Sequence, residues 1–368
     1  MLRCYPIDAT QENWLHDAVT NLIHAVHQKL DAGYIINNTQ ADWVQLIDDS
    51  VTIDNRDKIK NFTGMRKHLF SYKDEILNLT AQQRESILAA MTNQNLIENL
   101  LNGTQQAQLI NTSYPTVHEK AKTLFVFCFE KLTELNIREN QYQIIFDSLP
   151  EKICPFCGIE RVMDPSETAQ DQDHYLAKSI FPFAATNMRN LVPMCRCCNR
   201  DYKKDINVIM DANGTHRIAF DPYNCTPPEI SLGRSTLVQD TSPVKFEWEI
   251  DFLSEPDKSK TWDEVFSIRN RYKRDVLNRY FDRWLSGFKI QCTKHRTRGI
   301  IHPNFTNDQI RDQLQYYQEY KAEHPSIGLA GFLEPLAFKL LLKIYDEGDD
   351  RIIKLIRDAV LGIPLQAP

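Results

Sequence analysis

Glycine is scarce in this chain of 368 residues: only 12 occur, under half the usual share of roughly 7%. That shortage argues against a turn-rich all-β fold and against glycine-loop nucleotide folds, and it favours helix. Long apolar runs are missing too. The strongest, LFVFCF at 124–129, is far short of the roughly 20 residues a bilayer demands. The opening MLRCYPIDATQENW carries no basic-plus-apolar leader. A cytoplasmic protein with no membrane association is therefore expected. Positive charge is not in excess either: 43 Lys and Arg stand against 49 Asp and Glu, a net charge of −6. Any affinity for nucleic acid has to come from a local patch.

The length suits two or three domains, each able to bury a core. Residues 1–148 read as a helical domain. In TQENWLHDAVTNLIHAVHQKL, Leu15, Val19, Leu22, Val26 and Leu30 recur three and four apart, as one buried helix face does. TVHEKAKTLFVFCFEKLTEL opens with a capping-box pattern, Thr116 and Glu119, before its apolar turn. His16, His24 and His27 fall in the first helix and read as core or surface residues, since His16 and His24 lack acidic partners at metal-ligand spacing. From 149 to 222 the elements are short and punctuated by Pro and Cys. HRIAFDPY (216–223) and VKFEWEIDF (244–252) alternate as strands do. Helical patterns return in TWDEVFSIRNRYKRDVLNRYFDRWLSGF, TNDQIRDQLQYYQEYKAEH and LEPLAFKLLLKIYDEGDDRIIKLIRDAV. The expected fold is mainly α with a small central α+β module at 149–222, followed by a mainly helical 223–368 with a short strand pair.

Nine cysteines in a reducing compartment suggest metal ligands or buried thiols over disulfides. Cys4, Cys128, Cys225 and Cys292 are scattered singly, as core residues would be. The other five crowd into CPFCG (154–158) and CRCCN (195–199). Cys154 with Cys157, and Cys195 with Cys198, form two C-x2-C pairs whose four thiolates can close a tetrahedral structural zinc site; Cys197 is a spare. Between the pairs lie Asp173 directly before His174, Asn190 in NLVPMC, and Asn199 directly after the last Cys.

The ordered series C-x2-C, D-H, N-L-V-P-x-C, C-N, then lysines, resembles the HNH endonuclease family over roughly residues 150–206. That resemblance implies a ββα-metal fold stapled by the Cys4 zinc site, and hydrolysis of phosphodiester bonds in DNA, taken as double-stranded. It assigns His174 as general base and Asn190 as the residue that orients it. Asp173 and Asn199 become the ligands of a catalytic divalent cation, Mg²⁺ or Mn²⁺. A hard cation prefers such oxygen donors, and a neutral imidazole can take a proton from water.

Two departures stand out. The family commonly has C-N-x-x-K, whereas CNRDYKK places Tyr202 at the lysine position and Lys203 and Lys204 after it. Adjacent Asp173 and His174 would also point to opposite faces of a regular strand, so irregular backbone is expected there.

The stretch 189–204 holds Arg189, Arg196, Arg200, Lys203 and Lys204 against Asp201 alone, which suits phosphate positioning. Residues 269–298 carry ten Arg and Lys against Asp275 and Asp282. Lys178, Arg200, Lys203, Lys204, Arg296 and Arg298 are the candidate nucleic-acid contacts. Trp262, Phe266, Tyr272, Tyr280 and Trp284 read as core rather than base-stacking residues. Two rivals stand beside the nuclease: a zinc-dependent nucleic-acid-binding module without catalysis, and a nuclease subunit silent until a partner such as an ATPase or sensor releases it, as in antiviral defence.

Overall fold

The computed structural model describes residues 3–167, 172–239, 241, 243–299, 306–325 and 330–362. It is 60% helical, with fourteen α-helices and only two-stranded sheets among the described residues. No described helix is long and apolar enough to cross a membrane. The chain divides into two compact units.

The first unit comprises Arg3–Lys152 and Val162–Thr226. Its helices are α1 (Trp14–Asp31), α2 (Gln40–Ser50), α3 (Ile53–Lys60), α4 (Thr63–Ile76), α5 (Ala81–Gln94), α6 (Ile97–Asn102), α7 (Pro115–Glu134) and α8 (Ile137–Ser148). Leu15, Val19, Leu22 and Val26 of α1 are fully buried, as their spacing required. Helix α7 packs against α4, α1 and the turn at 182–184. Gly64 of α4 lies so close to the Phe127 ring that a Cβ there would collide with it. The core continues through Leu124, Phe125 and Cys128 of α7 into Phe183, Ala185, Met188 and Leu191. The helical block and the later short elements thus share one apolar interior.

The capping box expected at Thr116 does not form. The helix starts two residues earlier than a cap at Thr116 would place it, with Pro115 at its first position and Tyr114 before it. Proline's fixed φ and missing N–H suit that position. Glu119 instead pairs with Lys122 at 3.3 Å. His16 and His27 are core residues, bonded to Thr186 Oγ1 (3.0 Å) and Tyr72 Oη (2.9 Å).

The cysteine reading needs one correction. Cys4 and Cys225 are joined by a disulfide spanning 221 residues of sequence. Tyr5 N bonds Pro222 O at 2.8 Å, and this brings the N-terminal segment beside Cys225. Cys128 and Cys292 are buried thiols, as expected.

The second unit comprises Ile153–Arg161 and the described part of Pro227–Pro368. Strands β3 (Ile230–Ser231) and β6 (Asp251–Phe252) pair antiparallel, as do β4 (Thr236–Leu237) and β5 (Phe246–Glu247). The expected strand at 244–252 is therefore two strands serving different partners. The one at 216–223 is extended chain with bridges at its ends, Met210 to His216 and Asp221 to Asn224. Helices α9 (Pro256–Phe266), α10 (Ile268–Arg271), α11 (Asn278–Thr297), α12 (Asn307–Glu323), α13 (Leu333–Asp346) and α14 (Asp350–Leu361) follow, with a π-helix at Tyr272–Leu277. Trp262, Phe266, Tyr272 and Trp284 are buried, the core role their sequence context suggested.

Candidate functional site

The two cysteine pairs come together. Cys154, Cys157, Cys195 and Cys198 are all buried, and their sulfur atoms lie within 4.8 Å of one another. Tetrahedral zinc with Zn–S near 2.3 Å sets its sulfurs roughly 3.8 Å apart, so this cluster can hold a zinc ion. Each pair sits on a tight turn. In the first, Gly158 takes a φ of 65°, its N–H bonds Cys154 O at 2.8 Å, and Ile159 N–H points at Cys157 Sγ from 3.4 Å. In the second, Cys198 N–H points at Cys195 Sγ, also from 3.4 Å. Such N–H donors favour thiolate. Cys197 is half-buried and lies outside the cluster.

Strands β1 (Gln172–His174) and β2 (Leu191–Pro193) pair antiparallel, with Asp173 opposite Val192 and His174 opposite Leu191. This is regular strand, so the irregular backbone expected at Asp173–His174 is absent. The two side chains meet different neighbours, as strand alternation requires. Asp173 Oδ2 lies 2.7 Å from Lys203 Nζ. His174 Nε2 lies 2.9 Å from Ala185 O, and its ring centroid is 4.4 Å from that of Phe129 in α7. A carbonyl can only accept, so Nε2 carries the proton and the basic lone pair of the neutral ring is on Nδ1. Burial, then Lys178, holds the His174 pKa down at about 3. The ring is neutral at pH 7.

Asn190 closes the loop between the strands. Its Oδ1 accepts from Leu176 N at 2.7 Å, and its Nδ2 donates to Leu176 O at 3.0 Å and Ala184 O at 3.1 Å. A fully buried amide with these bonds fixes both ends of the 176–184 loop. It also fixes the neighbouring Ala185 carbonyl on which His174 rests.

After β2 the chain enters a π-helix, Cys197–Lys203, in which Lys204 N bonds Asn199 O at 2.8 Å. A π-turn spends one residue more per hydrogen-bonded turn than an α-turn. That extra residue absorbs the displaced lysine of CNRDYKK: Lys203, four after Asn199, turns inward. It is fully buried, donating to His174 O at 3.0 Å and pairing with Asp173. Burial raises the Asp173 pKa to about 6, against the pull of Lys203. Asn199 is half-buried on the same helix, with Lys204 exposed at its end.

The basic residues divide. Arg189 is engaged internally, by Asp221 at 2.6 Å and Glu98 at 3.4 Å. Arg200 is exposed and Lys178 half-buried. In the second unit, Arg296 donates from Nη1 to Leu361 O at the C-terminal end of α14, where a cation suits the helix dipole. Arg298 is exposed, as are Arg279, Arg283 and Lys294 along α11. Arg271 is buried, and Arg269 and Arg274 pair with Asp263 and Asp275.

Sequence reasoning missed two residues beside His174. Phe129 and Arg138 come from α7 and α8, with the Arg138 guanidinium 4.6 Å over the Phe129 ring. The Lys178 ammonium lies 5.1 Å from that same ring. Nothing local in the sequence marks either residue.

No family model, curated protein or solved structure matches this chain.

Proposed function

We propose that this protein is a metal-dependent HNH-type endonuclease that hydrolyses phosphodiester bonds in double-stranded DNA. The observation that carries the reading is the Asn190 amide: it bonds both ends of the loop whose next carbonyl orients His174. A module that only binds has no need of a buried asparagine holding a buried histidine in one tautomer. In this reading His174 Nδ1 takes the proton from the attacking water, and Asn190 keeps the imidazole aimed. Phosphate near Lys178, Arg138 and Lys203 would offset the positive charge that, together with burial, depresses the His174 pKa. The base would strengthen once substrate is bound.

A carboxylate and an amide oxygen are the donor chemistry of a hard divalent cation, and Asp173 already faces a cation in Lys203. Asp173 and Asn199 would hold Mg²⁺ or Mn²⁺, which supplies charge neutralisation at the scissile phosphate and leaving oxygen. Zinc at the four cysteines serves the fold. Arg200, Lys204 and the exposed cations of α11 would track the DNA backbone. Asp173 engaged by Lys203 at 2.7 Å favours a second reading, a subunit at rest until a protein partner such as an ATPase or sensor in antiviral defence frees it.

Supercoiled plasmid incubated with Mg²⁺, Mn²⁺ or EDTA tests the proposal. Wild type should nick or linearise it with metal, and His174→Ala should lose about 10²–10⁴-fold. Excess Mn²⁺ should partly restore Asp173→Ala and Asn199→Ala but not His174→Ala. Equal cutting by wild type and His174→Ala would defeat the assignment. Plasmid binding without cutting under any metal, reversed by adding cell lysate, would select the silent subunit.

A further inference from the structure

The outer edge of β2 is closed by two tyrosines. Antiparallel pairing turns Asn190 O toward β1, where it accepts from Tyr175 N at 2.9 Å. Backbone direction alternates along a strand, so Leu191 O and Pro193 O face away from β1. That edge pairs with no further strand among the described residues. Tyr223 Oη donates to Leu191 O at 2.5 Å, and Tyr5 Oη donates to Pro193 O. Both tyrosines are buried, with ring centroids 5.5 Å apart. A buried carbonyl without a donor is costly, so the two hydroxyls hold β2 against β1, the strand of Asp173 and His174.

Both tyrosines are anchored at one covalent bond. Tyr5 follows Cys4 directly, Tyr223 lies two residues before Cys225, and Cys4 is joined to Cys225 within the first unit. The bond is accessible: Cys4 is exposed and Cys225 half-buried, whereas the thiols of Cys128 and Cys292 are buried. Cys225 N–H points at Cys4 Sγ from 2.9 Å, and such a donor stabilises a thiolate there. A stabilised thiolate makes Cys4 the better leaving sulfur in thiol–disulfide exchange.

We propose that Cys4–Cys225 is an exchange site for a dithiol reductant, and that its redox state sets how firmly β2 is held. One thiolate of the dithiol attacks Cys225 Sγ, forming a mixed disulfide as the Cys4–Cys225 bond breaks and Cys4 leaves as thiolate. The second thiolate of the dithiol then displaces Cys225 and closes the reductant's own disulfide. The protein gains two electrons, and the two protons given up by the dithiol end on Cys4 and Cys225. Reduction releases Cys4 and slackens Tyr5 on the edge of β2, and oxidation restores the hold. The site stands whether or not the chain cuts DNA.

The test incubates full-length, zinc-loaded protein with dithiothreitol, a small dithiol, under native conditions and with zinc content monitored. Thiols are alkylated and mapped by mass spectrometry, and hydrogen exchange is followed peptide by peptide. Cys4 and Cys225 should become alkylated only after reduction, while Cys128 and Cys292 stay protected. Exchanging the reductant for oxidised glutathione should restore the bond. Exchange in peptides covering 172–176 and 190–194 should rise about 2- to 10-fold, the worth of one hydrogen bond, with α1 unchanged. Cys4→Ser should reproduce this rise without reductant. Tyr5→Phe should produce it with the disulfide intact, because only the hydroxyl is lost. Cysteines alkylated before reduction, a bond that yields only when the protein unfolds, or one that does not reform would overturn the exchange site. An equal rise in α1 marks a general staple and overturns the hold on β2, as does a Tyr5→Phe protein with no rise at 190–194.

Discussion

Replacing Lys203 by Met tests how the site is held together. The Lys203 side chain is 1% exposed and its partner Asp173 9%, so neither charge has much access to water. Removing one partner of such a buried pair costs about 3–5 kcal/mol where the other charge stays ionised; Asp173 can be neutralised instead, which holds the loss to about 1–3 kcal/mol. Met fills nearly the same volume, so a cavity contributes little to the loss. Asp173 already sits at about 6 with Lys203 in place; without the ammonium it moves further up and takes a proton at neutral pH. Asp173→Asn leaves the ammonium buried with a neutral neighbour and should also destabilise. The double variant lacks both charges and should be more stable than the sum of the single losses, by about 2 kcal/mol or more. That coupling is the signature of a direct pair. Chemical denaturation of all four proteins, with zinc content held constant, measures it. A Lys203→Met loss below about 1 kcal/mol, or strict additivity in the cycle, would refute the buried pair. It would also refute the account of the π-helix as the device that brings Lys203 inward.

Other outcomes follow from the same geometry. Cys154→Ser should lower solubility and melting temperature with loss of zinc, since structural zinc binding is coupled to folding; a metal-free protein of unchanged stability would contradict this. Burial brings His16 down to about 4 in the folded state, whereas an exposed histidine titrates near 6.5. The unfolded chain therefore binds more protons between those values, so stability from this site is complete above pH 6.5. Roughly 3 kcal/mol is lost as pH falls to 4. His16→Gln should flatten the unfolding-versus-pH curve there, and an unchanged curve would count against it. If α11 follows DNA, neutralising Arg279 and Arg283 should reduce the salt slope of binding by about two. Arg296→Gln should instead lower stability, because its guanidinium is committed to Leu361 O.

What could be read locally was local in its physics. Helix α1 follows from a 3.6-residue period that any buried face imposes, and four of its fully buried residues, Leu15, Val19, Leu22 and Val26, were visible as a pattern. The two C-x2-C turns announce themselves because turn geometry acts within a few residues, whereas Asp173, His174, Asn190 and Asn199 stood out by their order along the chain. Even so, the regular strand at Asp173–His174 overturned the irregular backbone that adjacency suggested. Pairing with β2 outweighed it, and each side chain found its own neighbours.

Other features depend on chain segments far apart, and no spacing encodes them. The disulfide of Cys4 and Cys225 closes over 221 residues. Arg189, one more cation in a basic run, is consumed by Asp221. Phe129 reaches His174, and Arg138 reaches Phe129, only because α7 and α8 share a core with the module. Lys203 shows the division most sharply. Its place in CNRDYKK is one residue out of step with C-N-x-x-K, and the sequence alone leaves its direction open. The Asn199–Lys204 hydrogen bond makes the turn a π-turn, and the acceptors waiting at Asp173 and His174 are what a buried ammonium requires. The amino-acid order determined which chemistries were present. Packing decided which of them meet, because burial and hydrogen-bond satisfaction are properties of the assembled core.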